Sequence, residues 1–301
     1  MMTNNDMQKN KDEIDFGELF QILMSKKLLV SSITLSAAII SVIYSLYLPN
    51  VYLSQSILSP ASSQESLSDK LGAFSSFAPA IPGISLPKTS VNKSLEGIER
   101  IRSYDFFTER FLPNIQYENL VAAKRWNKAN NTIIYDKKIF NQSEQIWSEK
   151  PTNQEAYETY TEILSVLQSD KTSLVSMSIE HVSPYIAEKW LNLIIKNIND
   201  HMREIDKNVA RNSIEFLNIS ASNTNLAEIK SVIFKLMENQ IQTLTLAESN
   251  EYYVFRPISS PIAPEKKFKP VRSIICILGT MLGLIIGIAS ALIIHYSKSK
   301  N

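Results

Sequence analysis

Two uninterrupted apolar runs, one towards each end, limit this chain of 301 residues more than anything else in it. The first is Leu28–Leu48 (LLVSSITLSAAIISVIYSLYL) and the second is Ser273–Ile294 (SIICILGTMLGLIIGIASALII). They hold 21 and 22 residues without a charge. At about 1.5 Å per helical residue, each can cross a hydrocarbon core of roughly 30 Å. Charge-free runs of this length are rare in soluble domains, so both read as transmembrane helices. A cleaved signal peptide accounts less well for the first run. The region before it has 27 residues, and no small-x-small site precedes Pro49-Asn50-Val51-Tyr52.

Two spans put both termini on one side. Lys26 and Lys27 directly precede the first span, and no Lys or Arg follows until Lys70. The excess of positive charge on the cytoplasmic side then places the N-terminus in the cytoplasm. The second span carries the opposite bias, with Lys266, Lys267, Lys269 and Arg272 before it and Lys298 and Lys300 after it. The first helix usually dominates, and long loops translocate largely regardless of charge. The expected organisation is a cytoplasmic tail over 1–27, a span over 28–48, an external domain over 49–272, a span over 273–294 and a second cytoplasmic tail over 295–301.

Composition removes several function classes. Thirty-one Lys and Arg balance thirty Asp and Glu, so the chain is not a strongly basic nucleic-acid binder. The single Cys, Cys276, lies in the second span and excludes a disulfide framework or a Cys-based zinc site. None of the seven Gly falls in a GxxxxGK[ST] or GxGxxG pattern, so no nucleotide cofactor is expected. His181, His201 and His295 are too scattered for a metal set.

The long loop between the spans is large enough for its own core. Its pattern is mixed α/β. Val51–Leu58 reads as a strand and Ser59–Lys93 as a Ser/Pro-rich loop with one apolar turn near Leu71–Phe77. Ser94 is placed to cap a helix running to Phe111, stopped by Pro113, and a second helix is expected over Glu118–Lys128. Thr152-x-x-Glu155 is a capping box, opening a helix expected to end near Gln168. Ser173–Glu180 alternates as a half-buried strand, and Ser183-Pro184 opens another helix.

From there helical spacing persists. Ile186, Trp190, Ile194, Ile198, Met202, Ile205 and Val209 form a stripe, continued by Phe216 or Leu217. It resumes at Leu226, Ile229, Ile233, Leu236, Gln240 and Leu244, as in a coiled-coil seam. One straight helix from Pro184 to Ala247 would be about 96 Å long. The residues left before the second span could not bring the chain back that far. The expectation is a helical hairpin over about 184–247, turning near Ser220–Asn225, with Glu251–Ile258 pairing on Val51–Leu58.

This layout resembles the Wzz-type polysaccharide chain-length determinants, or polysaccharide co-polymerases. The resemblance rests on Asp12–Phe20 before Lys26-Lys27 and the first span, and on Pro257, Pro261, Pro264 and Pro270 before a span containing Gly279-x-x-x-Gly283. It extends to Gln154–Tyr157, Ser178–Glu180, Ser183-Pro184, Trp190–Asn192, Glu238–Gln240 and Leu246-Ala247 through Tyr253–Phe255. The resemblance implies a membrane-anchored α/β fold: two transmembrane helices flanking an external α/β base with a helical hairpin. It further implies a ring of identical subunits in a bacterial inner membrane, with the main domain in the periplasm. Such a ring works with an integral-membrane glycan polymerase and is not itself an enzyme. It sets the length of a lipid-linked glycan, most simply the O-antigen of lipopolysaccharide. The alternative from the layout alone is a two-span external sensor or transport adaptor.

Three groups of residues stand out as candidate sites. The prolines Pro257, Pro261, Pro264 and Pro270 deny helix and make a stiff connector. Gly279, Gly283, Gly287 and Ala291 recur every four residues, and Ala37, Ser41 and Ser45 make a similar face on the first span. Small residues let helices approach closely in lipid. Lys266, Lys267, Lys269 and Arg272 suit either simple interfacial anchoring or contact with lipid or glycan phosphate. Trp126, Trp147 and Trp190 either stack on sugars or pack inside the base. No catalytic group and no metal ligand is assigned.

Overall fold

A computed structural model describes residues 21, 23–61 and 93–299. The tail motif at 12–20, the apolar turn at 71–77 and Lys300 lie outside the described residues. The chain divides at Pro49/Asn50 and at Lys267/Phe268 into two units, one holding the two apolar runs and the other the segment between them.

In the first unit, α1 spans Lys27–Tyr47. It pairs with the last helix of the chain, Arg272–Ser299, labelled α7 below once its predecessors are in place. Both helices are long and apolar enough to cross a membrane.

The second unit begins with β1, Tyr52–Pro60. The helix α2, Lys93–Arg102, starts one residue ahead of the expected cap, and Ser94 is buried as its second residue. It does not run to Phe111. Ser103 breaks it and accepts a hydrogen bond on its side chain from the Phe106 amide, at 3.2 Å. A helical turn over Tyr104–Phe106 then widens to π geometry over Phe107–Phe111, and a 3-10 turn covers Leu112–Asn114. Across this break Phe106, Phe107 and Phe111 are all buried in the core.

The helix expected over Glu118–Lys128 is only α3, Tyr117–Val121. The chain then forms β2, Ala123–Asn127, which pairs antiparallel with β3, Thr132–Tyr135. Asn131 takes a left-handed φ of 48°, which Asn tolerates, and closes this hairpin. Pairing with the β-branched run Thr132-Ile133-Ile134 outweighs the helix preference of Ala122-Ala123-Lys124. A small ladder follows, with β4 at Phe140–Asn141 and β5 at Ile146–Trp147.

Thr152 and Glu155 make both hydrogen bonds of the capping box at the start of α4, Asn153–Ile163. That helix ends five residues before Gln168. Leu164–Gln168 is instead β6, pairing antiparallel with β7, Val175–His181. The short run Leu-Ser-Val-Leu fits either periodicity, and the sheet partner decides it. Along β7, Val175, Met177, Ile179 and His181 are buried in alternation.

The helix α5, Pro184–Asn223, is 40 residues long, and α6 covers Ala227–Ser249. The break between them is Thr224–Leu226, because α5 continues through Ser220–Asn223. The two run side by side in opposite directions: Glu248, near the end of α6, pairs with Lys207 at 3.1 Å and Arg211 at 3.5 Å. In α5 the buried face runs through Trp190, Ile194, Ile198, Met202, Ala210 and Ala221. Val209 is 57% exposed, so the seam passes through Ala210 and the expected stripe is corrected there; of its two expected continuations, Phe216 is 69% exposed and Leu217 is half-buried. In α6, Ile233 and Ala247 are buried, while Ile229 and Leu236 of the expected stripe are exposed, as is Leu226 just before the helix.

The strand β8, Phe255–Ser259, pairs antiparallel with β1, opposing Phe255 to Pro60 and Pro257 to Leu58. The sheet order is β6-β7-β1-β8. The first half of α5 packs on β1 and β7. One core joins Leu58, Met177, Ile179, Trp190, Ile194 and Phe255 to the aromatic turn at 106–111 and to Tyr160. Finally, α7 spans Arg272–Ser299.

Candidate functional site

The face shared by α1 and α7 is built of small residues. A Cβ added at Gly283 would lie 2.3 Å from the Ala37 Cβ, and one at Gly279 would lie 2.4 Å from the Ser41 Cβ. At Gly287 the neighbour is Val30, whose carbonyl oxygen would be 3.2 Å away. Gly279, Gly283 and Gly287 thus meet Ser41, Ala37 and Val30 in turn, and the helices are antiparallel. Ser41, Ser45 and Ala291 are buried. Val30 and Thr34 also line this face, although neither belongs to the small-residue spacing of the first span. The polar groups bond within their own helices: Thr34 donates to the Val30 carbonyl at 2.9 Å and Ser41 to that of Ala38 at 2.9 Å. Such internal pairing suits an apolar solvent. Glycine is required at 279 and 283 because any side chain would force the backbones apart.

The four prolines fall on both units. Pro257 sits in β8, the edge strand, where a missing amide costs least. Beyond β8 the chain is held by serine hydroxyls from the buried face of β1. Ser56 donates to the Ser259 carbonyl at 2.6 Å and Ser54 to that of Ile262 at 2.9 Å. Pro261 is buried beside this anchor, and Pro264 is half-buried. Pro270, also half-buried, is in the other unit. Lys266 and Lys269 are exposed; Lys267 and Arg272 are half-buried. Lys269 lies 5.3 Å from the centre of the Phe268 ring.

Pro257 and Pro261 line a groove of about 860 Å³ that also takes in Asn192, Asn199, Arg203 and Glu248. Its floor holds a polar knot that periodicity could not announce. Asn199, 3% exposed, accepts on Oδ1 from the amides of Tyr253, Val254 and Phe255 at 2.8, 2.7 and 3.0 Å. Its Nδ2 donates to the carbonyls of Ile195 and Phe255. Nearby, Lys93, Asp206 and the Tyr253 hydroxyl form a mutual cluster. Burial and then the Asp206 carboxylate push the Tyr253 hydroxyl far above its ordinary range.

The histidines do not converge. His181 is buried against Trp190, with ring centres 4.8 Å apart. Its Nε2 donates to the Asn119 carbonyl and its Nδ1 accepts from the Ser183 amide, both at 3.0 Å. Burial lowers its pKa. Ser183 itself makes no side-chain cap hydrogen bond to α5. His201 faces the Phe106 ring and His295 lies on α7. Of the tryptophans, Trp190 is core. Trp147 packs on Tyr117 and Phe140, and Trp126 sits edge-on to Tyr52 and Tyr185 at 5.6 and 6.0 Å. Among the described residues, no three His, Cys, Asp or Glu side chains gather into a metal-sized cluster.

The stretch that runs from the tail through α1 and β1 to the first turn of α2 carries a family likeness. Residues 12–94 match the Wzz family, chain length determinant protein. The Wzz resemblance read from the sequence is thereby borne out. Among solved structures, a full-length bacterial polysaccharide co-polymerase aligns with a TM-score of 0.43 at 11% identity, covering 96% of this chain and 99% of that one. A fragment of WzzB, a polysaccharide co-polymerase from Salmonella Typhimurium, aligns with a TM-score of 0.31 at 12% identity, covering 73% of this chain and 100% of that one. No curated protein matches the chain.

Proposed function

We propose that this chain is a non-enzymatic regulator of the length of a lipid-linked surface polysaccharide, most simply the O-antigen of lipopolysaccharide. It acts as an oligomeric scaffold beside an integral-membrane glycan polymerase. The observation that carries this reading is the chain-length-determinant match over residues 12–94, which includes the first apolar helix and the strand that follows it. In this reading α1 and α7 are transmembrane helices of a bacterial inner membrane, with both termini cytoplasmic. The unit between them is a periplasmic α/β base bearing the α5–α6 pair as a helical hairpin.

Self-association is supported by the outer parts of α5 and α6. Phe216, Ile219, Ile229, Val232, Phe234 and Ile241 are each between 46% and 69% exposed on one pair of helices. Apolar side chains gathered at that density on a soluble surface mark a contact face. The Gly279–Gly283–Gly287 face, the proline connector and the basic flank at Lys266, Lys267, Lys269 and Arg272 are proposed to transmit the state of the scaffold to the membrane, its lipids and the lipid-linked glycan.

Deleting the gene and resolving the surface polysaccharide on a gel tests the function. Loss of a preferred length, with short and long chains filling a smooth distribution, supports it. An unchanged length pattern in the deletion strain refutes it.

A further inference from the structure

Both chain ends of the 50–267 unit leave it along the same edge. Tyr52, the first residue of β1, is five residues beyond Tyr47, the last of α1. At the other end the chain runs from Ser259, held by Ser56, to Ile262, held by Ser54, and so travels back towards Tyr52. The register sets His181 opposite Tyr52, so β7 also finishes at this edge and α5 departs from it. If α1 crosses a membrane, the five residues from Tyr47 to Tyr52 let the edge bearing Tyr52 lie no more than about 18 Å of extended chain from it. The inference rests on that part of the proposed function.

What this edge carries is specific. The aromatic group Tyr52, Trp126 and Tyr185 is gathered there, with Trp126 on β2. The Trp126 indole N–H donates to the Asn131 side chain at 2.9 Å, tying the ring to the tip of the β2–β3 hairpin. Between Ala123 and Lys138 the sequence places Lys124, Arg125, Lys128, Lys137 and Lys138 against one carboxylate, Asp136. All five cations are exposed, and Asp136 is engaged by Lys124 at 3.0 Å. Ile134, directly opposite Arg125, is 46% exposed. Indole and phenol rings favour the headgroup level of a bilayer, and clustered Lys and Arg favour anionic headgroups.

We infer that the β2–β3 hairpin is a membrane-surface arm, docking Trp126 and its flanking cations on the anionic lipid headgroups around the spans. It would fix the tilt of the base over the bilayer, a role distinct from the basic flank of α7.

The test uses the full-length chain in lipid nanodiscs. Cys276 is the single cysteine, so Cys276→Ser with Asn130→Cys allows one fluorophore at the hairpin turn, and Cys276→Ser with Asn225→Cys places one between α5 and α6. Discs of phosphatidylcholine and phosphatidylglycerol carry a quencher on the headgroup. The expected result is quenching at position 130 at least threefold stronger than at position 225. It should fall by half or more in phosphatidylcholine alone, or when Lys124→Glu, Arg125→Glu and Lys128→Glu are combined. Equal quenching at the two positions overturns the inference. Strong quenching at 130 that ignores both lipid charge and charge reversal also overturns it, because nearness alone would explain that signal. Failure of the spanning model itself is recognised separately, as a chain that stays in solution without detergent and does not enter the discs.

Discussion

At the scale of residues, two buried polar side chains tie distant parts of the chain together. Asn199 accepts three successive amides, Tyr253 to Phe255, and so aims the chain into β8. Replacing it with Ala strands those amides in the core. At about 1–3 kcal/mol for each buried group left unpaired, Asn199→Ala should cost about 3 kcal/mol or more. Thermal unfolding of the detergent-solubilised protein should show this as a drop of several degrees. His181 makes stability depend on pH. Its pKa is depressed by burial in the folded state, while the unfolded ring titrates near the usual value of about 6.5. Above that pH both states are neutral and the residue adds no slope. As pH falls below about 6.5 the unfolded state takes up the proton first, so stability is lost down to the folded pKa. His181→Asn should flatten the decline in melting temperature between pH 7 and pH 5 relative to the unaltered chain. An identical slope in the variant would show that His181 is not its source. Neither role was visible in the sequence, because Asn199 lies inside a helical apolar stripe and His181 occupies an inward position of an alternating strand. Only the distant partners, 54 to 62 residues away in the chain, distinguish them from packing residues.

At the scale of elements, long periodic segments were legible and short ones were not. The two apolar helices, the capping box at Thr152 and Glu155, the strand at Val175–His181 and the pairing of β8 with β1 follow from patterns that one segment states strongly. β2 and β6 fall inside expected helices because five residues fit both periods, and a partner strand decides between them. The seam of α5 drifts by one residue at Val209, since the helix buries Ala210 in its place, and beyond it Leu217 is half-buried while Phe216 is exposed. The face shared by α1 and α7 gives a sharper test. Gly283→Leu overpacks a contact in which even an added Cβ would lie 2.3 Å from the Ala37 Cβ, at a cost of about 1–3 kcal/mol to the helix pair. The variant should insert normally and broaden the glycan length distribution without abolishing polymer. The milder Gly283→Ala should act in the same direction, and Ala37→Gly in the same chain should restore the wild-type banding. Banding that ignores both Gly283 variants at normal protein level would remove this face from the mechanism.

At the scale of the whole molecule, the functional reading depends on which side of the membrane holds the 50–267 unit and on how many copies meet there. A reporter active only in the periplasm should work when fused after Asn130 and stay silent after Asn301; the reverse pattern would invert the topology. Cross-linking in intact membranes should give a ladder well beyond dimer, because the apolar rows at Phe216–Ile219 and Ile229–Ile241 are left uncovered by their own chain. Double substitution of Phe216 and Phe234 by Ser should shorten that ladder while leaving the base folded, as neither side chain belongs to its core. The central claim is that the chain redistributes polymer lengths and performs no step of synthesis. The most direct measurement restores the gene at graded levels to a deletion strain and records total surface glycan and its length distribution together. The account predicts a preferred length that emerges and sharpens as the protein rises, with total repeat units constant within experimental scatter. Total glycan rising from near zero in proportion to the protein, with no preferred length, would contradict it.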